Sequence, residues 1–436
     1  MASSKLIIDK IATNNFCVGI LGLGYVGLPL AVAFARNGLK VIGFEKSEKK
    51  IASVNAGQNY IPDIKDEELR QVVSDKQLSA TSDVARIKDC DAVIICVPTP
   101  LDRFKKPDMS FIQGACQDIG KYMKAGTFVS LESTTYPSTT DSFMKPILES
   151  ESGLKEGVDF WLCFSPERID PGNLNYKTEN TPKIVGAMGE DATRIAVALY
   201  GKAIQQVYPV SSPRVAEMVK ILENTYRLVN ISLVNELALL SGKMDIDFWE
   251  VIEAAKTKPY GFQAFYPGPG IGGHCIPLDP FYLEYVAKQY NFDLTMIETA
   301  GHIDNLMPHR MTVKISSALN RQCKSMRGSK ILFLGLAYKK DIGDERESPA
   351  LKIIDEVQKK GAEILVHDPY IPMCRTEHGL ELKSVALTDS LLASMDCVVF
   401  TTDHSVFEIE PIVEKSKLVV DLRNVVKFKS SKVFKL

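Results

Sequence analysis

A glycine-rich turn near the start of the chain constrains the fold more than any other feature. Residues 16–21 predict a short apolar strand, and Gly22–Gly27 follows it in the pattern G-x-G-x-x-G. Residues 28–37 then have helical periodicity, and 40–44 predict a second strand. This β-α-β order is typical of a doubly wound sheet that binds a dinucleotide, with the pyrophosphate at the N-terminus of the helix.

The glycines of this turn have separate tasks. Gly22 permits the tight turn, Gly24 lets the pyrophosphate approach the backbone, and Gly27 lets the helix pack closely on the strand. Glu45 ends the second strand, where it is placed to bind both ribose hydroxyls and to repel a 2′-phosphate. This arrangement favours NAD, while Lys46 beside it keeps NADP open.

The rest of the chain predicts two such domains around a helical middle. Apolar strand candidates separated by helical stretches recur in 91–185 and again in 330–420, which indicates parallel sheets covered on both faces. Residues 215–240 predict one long helix. We therefore predict an α/β fold of two doubly wound Rossmann-like domains joined by a long-helix central domain, with boundaries at 1–211 (NAD-binding), 212–319 (helical) and 320–436.

Composition excludes several classes of partner. The formal net charge is -2, which gives no general attraction to nucleic acid or to an anionic membrane surface. No apolar run approaches the roughly 18 to 20 residues that a membrane span needs. Nine cysteines without a CxxC pair fit a reducing compartment. We expect a cytoplasmic protein with no nucleic-acid or membrane partner.

A second glycine-rich segment, Gly272–Asp279, contains Cys275. A thiol can hold an acyl group covalently after a hydride has left, and Asp279 four residues later can act as a base for water. With a dinucleotide site, this pattern predicts oxidation of an alcohol beyond the aldehyde to an acid. The alternative is a buried cysteine in a Gly/Pro turn. A metal site at His274 and Cys275 would lack two further ligands, so we expect none.

Polar residues elsewhere are further candidates. Residues 97–100 and the pair Ser133-Thr134 each follow a predicted strand, so they either contact a ligand at the carboxyl edge of the sheet or cap turns. Lys220 and Asn224 lie one helical turn apart, where they would stabilise a developing alkoxide. The alternative is an exposed surface pair.

Together these motifs resemble the UDP-glucose/GDP-mannose dehydrogenase family over nearly the whole chain. The segment Tyr266–Pro280 is most similar to members of that family that oxidise UDP-N-acetylglucosamine at C6. The segments that carry the resemblance are 22–27, 97–100, 132–134, 165–168, 220 with 224, 272–279, 335–339 and 344–349.

The resemblance implies a four-electron oxidation of a sugar C6 alcohol to a carboxylate with two NAD per turnover, through a thiohemiacetal and a thioester on Cys275. The implied catalytic residues are Cys275, Lys220, Asn224, Asp279, Glu167 and Thr134. The expected cofactor contacts are Gly22, Gly24, Tyr25, Val26, Gly27, Glu45, Thr99, Thr134 and Arg346. The expected substrate contacts are Glu167, Arg168, Lys220, Asn224, Tyr266, Gly268, Gly270, Gly272 and Lys339, with the C-terminal domain binding the UDP moiety.

The sequence departs from the family pattern at three places. Leu278 stands where the glucose enzymes have a lysine, Ser138 stands where a glycine is common, and no arginine that reaches a partner subunit's sugar is found near 258–260. The missing arginine favours an N-acetylated sugar, first UDP-N-acetylglucosamine, over UDP-glucose. UDP-N-acetylgalactosamine, UDP-N-acetylmannosamine and UDP-glucose remain alternatives.

Assembly and two rival functions stay open. The family resemblance makes the long helix the interface of a homodimer or a higher homo-oligomer, although its apolar residues suit intramolecular packing equally well. One rival is a single-step β-hydroxyacid dehydrogenase, which needs neither Cys275 nor a second doubly wound domain. The other is a non-catalytic regulator that binds NAD or a UDP-sugar.

Overall fold

A computed structural model describes residues 4–61, 64–102, 106–169, 173, 175–273 and 275–436, and the side chain of Cys275 lies outside this description. The chain divides into two compact units. Unit 1 comprises Met1–Glu223 and Phe281–Phe292, and unit 2 comprises Asn224–Pro280 and Asp293–Leu436.

Unit 1 is built on an eight-stranded sheet. Its strands are β1 Cys17–Leu21, β2 Lys40–Phe44, β3 Leu78–Thr81, β4 Ala92–Ile95, β5 Phe128–Leu131, β6 Trp161–Phe164, β7 Lys183–Ala187 and β8 Val207–Val210, in the order 3-2-1-4-5-6-7-8. Its helices are α1 Ser4–Ala12, α2 Gly27–Arg36, α3 Glu48–Asn55, α4 Asp66–Ser74, α5 Ser110–Tyr122, α6 Lys145–Ser152 and α7 Glu190–Tyr200. Short 3₁₀ and π turns cover Val84–Asp89 and Thr139–Met144.

The central strands of this sheet are fully buried because their apolar side chains point to both faces. Every residue of β4 and β5 is buried, which is typical of parallel strands covered by helices on both sides. One pair corrects the prediction of a parallel sheet, because β7 runs antiparallel to β6. The described part of 165–182 contains no crossover helix, so the chain re-enters the sheet from the edge at which it left.

The next helices are α8 Pro213–Lys243, α9 Phe248–Lys256, α10 Cys275–Ala287 and α11 Thr295–Arg321. A 3₁₀ turn at Lys288–Tyr290 lies between α10 and α11. The sheet of unit 2 has the order β10-β9-β13-β14-β15 and is entirely parallel. Its strands and helices, with one two-stranded ribbon, are β9 Lys330–Leu334, α12 Pro349–Lys359, β10 Glu363–His367, β11 Met373–Arg375, β12 Glu381–Lys383, α13 Asp389–Ser394, β13 Cys397–Phe400, α14 Ile409–Lys415, β14 Val419–Asp421 and β15 Val433–Lys435.

The predicted fold class is therefore confirmed: each unit contains a doubly wound sheet, and one long helix, α8, follows the first. The second sheet is the element that a single-step β-hydroxyacid dehydrogenase would not need. Among the helices of the described ranges, none combines the length and the apolar composition required to cross a membrane.

Candidate active site

The glycine turn after β1 has the geometry of a phosphate-binding turn. Gly22 has a φ of +95°, and a Cβ atom there would lie 2.6 Å from a backbone carbonyl oxygen just beyond β4. A Cβ on Gly27 would lie 1.9 Å from the Gly22 oxygen, whereas one on Gly24 would meet nothing within 4 Å. Tyr25 is exposed and Val26 half-buried in the same turn. Gly24 therefore borders open space at the start of α2, where a pyrophosphate fits.

Glu45 lies at the end of β2, and backbone amides fix its carboxylate. Oε2 accepts a hydrogen bond from the Leu23 N–H at 3.2 Å. Oε1 accepts from the N–H groups of Lys46 at 3.0 Å and Ser47 at 3.2 Å. Because the carboxylate is held beside the glycine turn, it suits ribose hydroxyls and repels a 2′-phosphate. The residues present thus fit NAD.

Thr99 and Thr134 follow β4 and β5 at the carboxyl edge of the same sheet. The Ser133 hydroxyl donates to the Val97 carbonyl at 2.7 Å, which joins the two segments. The carbonyl of Thr99 accepts from the Tyr282 hydroxyl, and Thr99 is buried. The Ser133 hydroxyl therefore links the ends of two neighbouring strands, while Thr134 is half-buried beside it. A ligand contact by either residue stays a prediction.

Lys220 is held in a buried ionic cluster of unit 1. Its Nζ donates to the backbone carbonyl of Glu167 at 2.7 Å. The Glu167 side chain lies 3.1 Å from Lys183 Nζ, which also contacts Glu132 at 2.6 Å. Lys220 is 8% exposed and Asn224 5% exposed. The alternative of an exposed surface pair is therefore wrong.

The carboxylates of this cluster have different proton affinities. Burial raises the pKa of Glu132. Burial alone would also raise the pKa of Glu167, but Lys183 and the N–H groups of Ile169 and Arg168 outweigh it and lower that pKa. The same two carboxylates raise the pKa of Lys183 against the effect of burial. Glu167 is thus an anchored carboxylate, and Glu132 takes up a proton first.

Arg168 is anchored close to the same cluster. Its guanidinium pairs with Glu223 at 2.7 Å and donates to the Pro182 carbonyl at 2.8 Å. The side chain predicted to contact substrate is thus oriented by a carboxylate of α8.

In unit 2, Asn224 lies against the carboxylate that follows the cysteine. Asn224 Nδ2 donates to Asp279 Oδ2 at 2.6 Å, and Asp279 is fully buried. Asp279 lies one helical turn after Cys275, the first residue of α10. The cysteine side chain and all of His274 lie outside the described residues, so their predicted roles are not tested here.

The loop before Cys275 needs glycine because other segments pack against its backbone. A Cβ on Gly272 would lie 2.5 Å from the Cβ of Tyr338. A Cβ on Gly273, whose φ is +81°, would lie 2.9 Å from the ring of the same tyrosine. Gly270 has a φ of +135° and would meet Pro349 at 3.3 Å. The glycines therefore let this loop lie directly on the segment that follows β9.

A cation missed by the sequence analysis lies beside the same loop. A Cβ on Gly268 would lie 2.8 Å from Nη1 of Arg423, whose Nε donates to the Thr401 carbonyl at 2.9 Å. Arg423 is half-buried at the carboxyl end of β14. Its place within three residues of the predicted strand 417–420 is the signal that would have found it. Tyr266, also predicted to contact substrate, stacks on Trp249 and is partly exposed.

Lys339 and Arg346 lie on the segment between β9 and α12. Lys339 is half-buried. Arg346 is exposed, and its guanidinium pairs with Asp344 at 2.6 Å. Both predicted cations are thus presented by one loop of unit 2.

Comparison with known proteins identifies the family. Three models of the UDP-glucose/GDP-mannose dehydrogenase family match in order: the NAD binding domain at 16–204, the central domain at 214–305 and the UDP binding domain at 332–428. The chain belongs to the UDP-glucose/GDP-mannose dehydrogenase family. This nucleotide-sugar dehydrogenase uses NAD, as the glycine turn and Glu45 predicted.

Individual relatives of this dehydrogenase match over nearly their full length. It is 36% identical to UDP-N-acetyl-D-mannosamine dehydrogenase of Pyrococcus horikoshii, over 94% of this chain and 96% of that protein. It is 32% identical to UDP-N-acetyl-D-glucosamine 6-dehydrogenase of Salmonella typhi, over 90% of each. The solved structure of the UDP-D-ManNAc dehydrogenase of Pyrococcus horikoshii superposes with a TM-score of 0.87 and 33% identity, covering 96% of this chain and 98% of that one.

Proposed function

We propose that this dehydrogenase oxidises the C6 alcohol of a UDP-N-acetylhexosamine to a carboxylate in two hydride transfers. The observation that carries the proposal is the buried hydrogen bond between Asn224 and Asp279, one turn beyond Cys275 in α10. It supplies an oriented donor and a carboxylate close in sequence to the thiol that an acid-forming dehydrogenase needs.

In the first oxidation, the C6 hydroxyl passes its proton to solvent, and Lys220 stabilises the oxyanion that develops. The backbone carbonyl of Glu167 holds its ammonium in place. When bound, NAD accepts the hydride from C6, and the sugar becomes an aldehyde. Asn224 provides a second donor for the oxygen one turn further along α8.

In the second oxidation, the Cys275 thiolate forms a C–S bond to the aldehyde carbon, and the oxygen takes a proton. The resulting thiohemiacetal gives up a hydride to a second NAD and a proton to solvent, which leaves a thioester. Water then attacks the thioester carbon while Asp279 accepts its proton. The C–S bond breaks, the thiol is restored and the uronate leaves.

We assign the domain roles accordingly. Residues 1–211 bind NAD, 212–319 supply α8 and the cysteine loop, and 320–436 bind UDP, with Lys339 and Arg423 as cations for the diphosphate. One face of α8 leaves large apolar side chains exposed, which supports a homodimer through this helix; they are Val215, Met218, Leu222, Tyr226, Leu233, Leu237 and Leu240. A reducing cytoplasm would keep Cys275 active.

The sugar is tested with a panel of UDP-sugars and NAD. The greater identity to a mannosamine enzyme supports UDP-N-acetylmannosamine as the first substrate to test, ahead of the UDP-N-acetylglucosamine favoured by the cysteine-loop sequence. We expect two NADH per sugar consumed. One NADH per substrate would support a single-step dehydrogenase, and tight UDP-sugar binding without NADH would support a regulator.

Replacement of the cysteine tests the thioester. Cys275→Ser should stop the reaction before the acid, with at most one NADH per sugar. The matched control is Cys323→Ser, an exposed cysteine in the same unit, which should leave the rate and the stoichiometry unchanged. Normal uronate formation by Cys275→Ser would exclude covalent catalysis by this thiol.

A further inference from the structure

A buried imidazole joins the two ends of the loop that carries Lys339. His404 is 2% exposed, and its Nδ1 accepts a hydrogen bond from the Asp341 N–H at 3.0 Å. Because Nδ1 is an acceptor, the ring proton lies on Nε2, which donates to Asp368 Oδ2 at 3.1 Å. The ring is therefore fixed in one tautomer by contacts on both sides.

Asp368 connects the imidazole to the beginning of the loop, so that His404 and Asp368 form a hydrogen-bonded bridge between its two ends. The same Oδ2 accepts from the N–H groups of Leu336 at 2.6 Å and Ala337 at 3.1 Å. Burial would raise the pKa of Asp368, but His404 and the backbone amides outweigh it and lower that pKa. The Asp368 carboxylate and the His404 imidazole thus fix both ends of residues 336–341.

The far end of the loop is tied to the segment that carries His404. The Asp341 carboxylate accepts from the Ser405 N–H at 2.7 Å and from its hydroxyl at 2.6 Å. Asp341 has a φ of +58°, a conformation that non-glycine residues rarely adopt without such support. The loop conformation therefore depends on contacts made by residues 404 and 405.

We infer that His404 is a positioning residue for the UDP-sugar, acting through the loop that presents Lys339. This inference rests on the proposed function. His404 does not itself need to touch substrate, because its hydrogen bonds set the backbone from which Lys339 projects. Loss of the bridge should weaken substrate binding more than it slows the chemical steps.

Two substitutions each remove one of the two hydrogen bonds of the His404 ring and are designed to keep the other. The His404→Gln amide is long enough to keep the donor toward Asp368, and the His404→Asn amide is placed to keep the acceptor for Asp341. In each variant we expect the Kd of UDP and the KM of the UDP-sugar to rise about tenfold, the effect of one lost hydrogen bond. The kcat should stay within about threefold, and the KM of NAD should not change. His378→Gln, an exposed histidine of the same unit, is the control.

The readouts distinguish positioning from general stability. Calorimetry with UDP on the whole protein gives Kd, and trypsin should cut after Lys339 or Lys340 faster in both variants than in the control. An unchanged UDP affinity overturns the inference, as does an equal loss of UDP and NAD binding with a large fall in Tm. If the unaltered protein neither binds UDP nor forms NADH with any UDP-sugar, the proposed function fails, and the inferred role of His404 fails with it. Trypsin cleavage of the variants does not change that conclusion.

Discussion

Asn224 Nδ2 and Asp279 Oδ2 are joined by a hydrogen bond of 2.6 Å, and both side chains are buried. A hydrogen bond between two buried side chains fixes the direction in which each of them points, and its loss costs stability. The amide therefore orients the Asp279 carboxyl group, which the proposed mechanism uses as the base for water.

Asn224→Asp should place two carboxylates in contact. Because like charges in a buried site cannot both ionise, we expect the free energy of unfolding to fall by about 3 to 5 kcal/mol at pH 8, with partial recovery at pH 5. Urea unfolding at both pH values measures this. The exchanged pair, Asn224→Asp with Asp279→Asn, should recover stability but not activity; full activity in the exchanged protein would remove the catalytic role of Asp279.

Lys183 should be essential to stability, because it pairs with both Glu132 and Glu167 in the buried ionic cluster. The sequence analysis did not reveal this cluster. Lys183→Met leaves Glu132 and Glu167 without their shared cation, so the protein should lose about 3 to 5 kcal/mol of stability. Lys183→Arg keeps the charge and should lose less. Urea unfolding and kcat are measured together, and a methionine variant as stable as the arginine variant would show that the ion pairs contribute little.

Glu217 should make stability depend on pH. It accepts from the Ser138 N–H at 2.7 Å and the Thr140 N–H at 2.9 Å, and burial raises its pKa to about 7 despite these bonds. Between about pH 4.5 and 7 the folded state holds a proton that the unfolded state has lost, so this contribution falls as pH rises through 7. Glu217→Gln should remove up to about 3 kcal/mol of that dependence. Equal pH slopes in urea unfolding of both proteins would contradict it.

Glu45 should select NAD over NADP. Its fixed carboxylate repels a 2′-phosphate, so Glu45→Ser should raise the ratio of NADP to NAD turnover by about tenfold or more. The control is Glu48→Ser, an exposed acid of the same charge three residues further on. An unchanged cofactor ratio would show that other groups make the choice.

Local pattern predicted most of the fold. Buried strands such as β4 and β5 are short, mainly apolar segments that the sequence pattern reveals. The glycines before α2 are also recognisable in the sequence, because their spacing matches the positions at which the backbone packs too closely for a side chain. The three-residue strands β11 and β12 are too short to give a pattern. Nor did the sequence predict the reversed direction of β7, because pairing direction depends on how a connection crosses the sheet.

The sequence predicted those site residues that lie close together in one segment of the chain. It missed those that come together only when distant segments fold against each other. Lys220 and Asn224 share a helix, and Asp279 follows Cys275 by one turn. Lys183 contacts a carboxylate 51 residues away, a pairing that only the sheet creates. Ser138, predicted to replace a glycine, has a φ of +83°, so this position is one that favours glycine.

The continuity of α8 limits how this protein can change over evolutionary time. Each residue added to an α-helix turns everything beyond it by about 100°. Insertion of one residue within 221–223 would therefore place Lys220 and Asn224 about 140° apart, on different sides of the helix, whereas side-chain substitutions along it leave their alignment intact. Length variation in descendants of this chain should accumulate in the connecting loops and spare the middle of this helix.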